Sequence, residues 1–276
     1  MDELLQHPAF QAGIAPLLIG LVVAAALWRT RWPWLGVVAA YVTAVGLSIG
    51  LGLQPLSAGR KVTLLIGLAA LLGAAFDQIN RPWRWTVPVL SVACGVATWW
   101  VFASVLGQRG WNERALLALG LFAFVAGHAA LVLRLRADGA STGAVGVAGG
   151  VGIGVAALLS ASIGYFVGGV AMAAGAGALM LLQFLLNQTR PAGLTGSLPL
   201  ALGLALFGTA SVLLAQLPWF VLPLLALVPL AACFNPLRVA GLRARLFTAA
   251  ALATVAAALF VAAVWIAVRA ASLPTG

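Results

Sequence analysis

Long apolar runs alternate with short polar breaks along almost the whole chain. A helix needs about 20 apolar residues to cross a hydrocarbon layer roughly 30 Å thick. The breaks, marked by Arg, Trp and Pro, predict ten spans at about 13–28, 35–53, 62–79, 87–106, 115–133, 145–160, 164–186, 198–214, 219–233 and 246–268. The stretch 145–186 is too long for one helix, and Ser160, Ser162 and Gly164 mark where it divides. Pro218, Pro223 and Pro229 run through the ninth span and predict a bent or broken helix there. Backbone groups inside lipid must bond within their own segment, so such runs become helices. The expected fold is all-α, a polytopic integral membrane helix bundle forming one transmembrane domain over 1–276, with no room for a soluble domain.

Composition sharpens this reading. The chain is 63% hydrophobic and only 7% charged, where soluble domains carry about 25% charge. Mean hydropathy is +1.12. A net charge of +10 comes from 15 Lys and Arg against five acidic residues. These cations stand in ones to threes between apolar runs, as topology signals and lipid-headgroup contacts do. No basic patch has a folded domain behind it, which argues against nucleic acid as a partner. The acidic start, Met1-Asp2-Glu3, does not suit the basic n-region of a cleaved signal peptide.

The cations are also unevenly shared. Loops after odd-numbered spans hold Arg29, Arg31, Arg81, Arg84, Arg134, Arg136, Arg190, Arg238, Arg243 and Arg245. The opposite side holds Arg60, Lys61, Arg109, Arg114 and Arg269. Positive charge collects in the cytoplasm, so both termini are predicted outside it, in a bacterial inner membrane. The basic loops recur about every 50 residues, from Arg31 to Arg81 and from Arg84 to Arg134. That interval suggests five helical hairpins, each turning at the cytoplasmic face. Trp28, Trp32, Trp34, Trp83, Trp85 and Trp111 stand at span ends, where indole anchors a helix to the headgroup layer.

Candidate chemistry is sparse. Asp77 is the one acidic residue beside a hydrophobic span. It reads either as an interfacial ion pair with Arg81, four residues on, or as a proton or cation site with Gln78, Asn80 and the intramembrane His128. Ser57, Arg60 and Lys61 precede the third span, where a helix start beside two cations suits a phosphate, carboxylate or lipid headgroup. Gly146, Gly150 and Gly154, and likewise Gly164 and Gly168, are spaced by four. Such faces let helix backbones approach closely, so these glycines are expected at helix contacts.

The two histidines, His7 and His128, fall on opposite sides under this topology, which argues against haem or a metal site. No cofactor is expected. No catalytic motif appears, and a positioned acid–base pair is lacking, so the chain is not expected to be an enzyme. Two functions remain. One is a transporter, facilitator or lipid flippase for a small or amphiphilic substrate. The other is a non-catalytic scaffold or anchor subunit of a larger membrane complex. Membrane lipids are expected partners in both, with further membrane subunits or a homo-oligomer in the second.

Overall fold

A computed structural model describes residues 10–48, 50, 52, 54, 56–79, 84–159, 162–233 and 242–272. Among them it contains ten α-helices and no strand. They are α1 (Ala15–Ala26, led in by a π-turn Phe10–Ile14), α2 (Leu35–Ser48), α3 (Ala58–Gln78), α4 (Thr86–Leu106), α5 (Trp111–Arg134), α6 (Gly139–Leu159), α7 (Ile163–Leu186), α8 (Gly193–Leu214), α9 (Val221–Cys233) and α10 (Leu242–Ser272). The protein is an all-α helical membrane bundle. Among the described residues, seven helices are long and apolar enough to cross a membrane: α3 to α8, and α10 over Leu246–Ala267.

Three of the ten predicted spans are shorter than a full crossing: Phe10–Ala26, Leu35–Ser48 and Val221–Cys233. At 1.5 Å per residue, the 14 residues of α2 rise only about 21 Å. The second span was expected to reach residue 53. The helix stops at Ser48 because Gly50 turns left-handed, at φ +80°, and donates its N–H back to the Val45 carbonyl. That is glycine's usual way of closing a helix. In α9 the chain turns through Pro218 and the helix starts only at Val221. From there it runs on through Pro229 without a break, so the prolines shorten this span at its start.

Several helices begin earlier than expected, and two of them, α6 and α8, have a carboxylate at the start. The Asp138 Oδ1 accepts the N–H groups of Ala140 (3.1 Å) and Ser141 (3.5 Å), and the Ser141 hydroxyl donates to Oδ2 (2.9 Å). This caps α6 at Gly139 rather than near 145. The α8 start at Gly193 is held by a carboxylate from α3, described below. The break expected between spans six and seven falls between Leu159 and Ile163.

The buried helix is α8. Every residue from Leu194 to Val212 is buried, as suits a helix that is apolar all round. It is packed by α3, α5, α6, α7 and α9. Neighbours in sequence pair as α1–α2, α4–α5, α6–α7 and α9–α10, whereas α3 takes α8 rather than α4 as its main partner. The α6–α7 contact is the most extensive in the bundle. Leu71, Leu116, Leu119, Phe247, Leu259 and Ile266 are more than half exposed on the outer helices, where lipid replaces water as the solvent.

The ends of the odd-numbered helices gather at one end of the bundle. Trp28 after α1 donates its indole N–H to the Gln188 side chain after α7 (3.2 Å). Arg190 lies 5.6 Å over the Trp28 ring. The Cys233 thiol at the end of α9 points at the Leu131 carbonyl near the end of α5 (3.7 Å). The opposite end carries the α2–α3, α4–α5 and α6–α7 connections.

Candidate anion-binding cavity

A cavity of about 160 Å³ enters the bundle at the end that carries the α2–α3 and α6–α7 connections. Its mouth is formed by Gly50, Gly52, Ser57, Gly59 and Arg60 on one side and by Gly164 on the other. Its floor is aromatic: Tyr41 from mid-α2, Tyr165 from the start of α7, and Phe207 from α8. The Phe207 ring lies 5.8 Å from Tyr41 and 6.4 Å from Tyr165, centre to centre and tilted to both. That is the spacing aromatic pairs prefer.

The local sequence explains how these groups meet. Helix α3 begins at Ala58 instead of near residue 62, so Arg60 stands in its first turn. Ser57 is the N-cap residue, yet its hydroxyl makes no capping bond. One turn further on, the Thr63 hydroxyl donates to the Gly59 carbonyl (3.2 Å) and sits 2.8 Å from the Tyr41 hydroxyl. Gly168 makes room for the floor, since a Cβ there would come within 2.6 Å of the Phe207 ring.

Beyond the floor the described side chains are tightly packed. The Met172 side chain is pressed against Gly203, where a Cβ would approach its methyl to 2.5 Å. Trp34 is wedged between Gly143 and Gly196. Met172 and Trp34 are fully buried.

Of the anion site expected from sequence, Ser57 and Arg60 line this cavity, and Lys61 does not. The Lys61 ammonium turns to α4, donates to the Trp100 carbonyl (3.1 Å) and stands 5.3 Å over that residue's ring. Consecutive residues on a helix point about 100° apart, so the two cations could not share one ligand easily.

Of the expected proton or cation site, the described members Asp77, Gln78 and His128 do not come together. Asp77 Oδ1 accepts the N–H of Leu194 (2.9 Å), and Oδ2 accepts the N–H (2.8 Å) and hydroxyl (2.6 Å) of Thr195. The carboxylate therefore caps α8, satisfying N–H groups that a helix start leaves open. Gly193 beside it has φ +60° and no room for a Cβ against the carboxylate. Gln78 is exposed on the outer side of α3. Asn80, Arg81 and His7 lie outside the described residues. His128 is sealed within the bundle on α5, against Phe124, with neither ring nitrogen bonded to a described residue. The Gln183 amide in α7 is likewise buried, with no bond to a described residue.

The glycines divide by role. Gly146, Gly150 and Gly154 face α7: a Cβ on Gly150 would reach 2.5 Å from the Gly169 carbonyl oxygen. On α7 the facing residues are Gly169, Ala173 and Ala176. Gly168 meets Phe207 of α8 instead, and Gly164 lines the cavity mouth. Sequence reasoning overlooked the cavity floor. Its signal was nevertheless present, because Tyr41 and Tyr165 are the only two tyrosines in the chain, and both lie within apolar spans. No family model matches this sequence, and comparison with curated proteins finds no match.

Proposed function

We propose that this chain is a membrane transporter, a facilitator or lipid flippase for a small amphiphilic substrate. The observation that carries the reading is the cavity itself. It joins a cation at one end of the bundle to an aromatic floor within it, with tightly packed side chains beyond that floor. A scaffold has no need of such a hollow beside its most buried helix. Pockets for small molecules are mostly apolar with a few convergent polar groups, and this one fits that description. Its groups suit binding rather than bond-breaking, so the reading is of a carrier and not an enzyme. With the positive-inside bias, the cavity opens on the non-cytoplasmic side of a bacterial inner membrane, the side on which both termini lie.

Transport requires the same cavity to face each side in turn. The test is a single cysteine at Thr63, inside the cavity, with C94A and C233A removing the native thiols. A membrane-impermeant maleimide is applied separately to each side of sealed vesicles. Labelling from both sides is expected. Labelling from one side alone would overturn transport and favour a complex subunit with a dead-end pocket.

A further inference from the structure

We infer that the cavity takes a small amphiphilic anion. A ring-sized apolar body sits among Tyr41, Tyr165 and Phe207, and its phosphate or carboxylate meets Arg60 and Ser57. This rests on the cavity being a substrate site, and it names the class of substrate.

Three observations converge on that class. The first is size. The cavity holds about 160 Å³, and an apolar protein cavity of about 150 Å³ accommodates one benzene ring. The second is the distribution of polarity. The floor offers ring faces and edges, while charge stands only at the mouth. A ligand matching both must be apolar at one end and charged at the other.

The third is the sign and geometry of that charge. None of the described residues lining the cavity is acidic, so among them a cationic or zwitterionic ligand finds no counter-charge. With the Thr63 proton donated to Gly59, Tyr41 donates to Thr63, and both hydroxyl protons are committed within the protein. The donors facing a ligand are then the Ser57 hydroxyl and the Arg60 guanidinium. A guanidinium has five N–H groups, enough to serve a protein neighbour and a ligand together. Its planar fork matches the paired oxygens of a carboxylate or phosphate. Lys61 is held away by Trp100, so the mouth presents one fork and not a pair of cations.

Phenyl phosphate is the simplest probe of this chemistry. The purified full chain in phosphatidylcholine nanodiscs should bind it in equilibrium dialysis, at least tenfold more tightly than benzyl alcohol or inorganic phosphate. R60Q should weaken binding tenfold or more, and K61Q less than twofold. R60K, which keeps the charge and loses the fork, should fall between wild type and R60Q and serves if R60Q does not fold. Competition by lysophosphatidic acid at lower concentrations than phenyl phosphate itself would support the inference with a lipid as the source. Weaker competition would support it with a soluble anion as the source. Undiminished binding in R60Q, or benzyl alcohol binding as tightly as phenyl phosphate, would overturn it. Two-sided labelling at Thr63 with no binding of phenyl phosphate would reject this substrate class while leaving transport standing.

Discussion

Asp77 shows how one carboxylate can look functional in a sequence and be structural in the fold. An acidic group beside a membrane span is costly unless its oxygens are engaged. Here three donors of α8 engage them. The negative charge also complements the positive end of the α8 dipole. Removing it leaves buried N–H groups without partners, since Leu194 and Thr195 are themselves buried. D77A should therefore lower stability by about 2–3 kcal/mol, read as a drop in thermal unfolding temperature in mild detergent, with D77N retaining part of the loss. A D77A protein with wild-type stability and no transport would instead restore a functional role. His128 is the converse case: an ionisable ring at membrane depth that no described group bonds.

At the scale of elements, α6 and α7 show what the small-residue spacing does. Gly150 and Gly169 approach so closely that a Cβ on either would strike the other's backbone oxygen, at 2.5 and 2.7 Å. Without a hydrophobic driving force between helices in lipid, that close packing is what holds the pair. G150V should abolish monodisperse folded protein in size-exclusion chromatography. G67A, where a Cβ meets nothing within 4 Å, should leave the profile unchanged. A folded, unaltered G150V would refute the contact.

The helices were legible because lipid admits little besides helices, although three of them are shorter than a full crossing. Helix starts were less legible. Asp138 caps locally, with Ser141 three residues on, and this signal stood in the sequence unread. Asp77 caps from 117 residues away, and no local pattern encodes that. The cavity was half legible. Ser57 and Arg60 were found as a charged helix start, while Tyr41, Tyr165 and Phe207 come from three helices that only packing brings together.

At the scale of the whole molecule, one end of the bundle is tied and the other is hollow. The tied end links α1 to the α7–α8 connection through Trp28 and Gln188, and α3 to α8 through Asp77. The hollow end carries Arg60 and the glycines of the α2–α3 connection. On the orientation proposed above, the tied end faces the cytoplasm. Single cysteines at Gln54 and Thr189, in the background lacking Cys94 and Cys233, should label from opposite sides of the membrane, with Thr189 reached from the cytoplasm. Labelling of both from one side would overturn this arrangement.

The bond from α3 to α8 also sets a timetable for making the protein. A ribosome adding about 5–20 residues per second finishes Asp77 well before Leu194, 117 residues later. For something on the order of ten seconds, the nascent chain carries a carboxylate at the rim of the bilayer whose eventual partners have not been synthesised. The early helices can enter the membrane in that interval, but α3 cannot reach its final seat until α8 arrives. Assembly of the bundle thus waits on the second half of the chain. A nascent chain that stalls before α8 keeps its acidic group unmasked, which distinguishes an unfinished copy from a completed one.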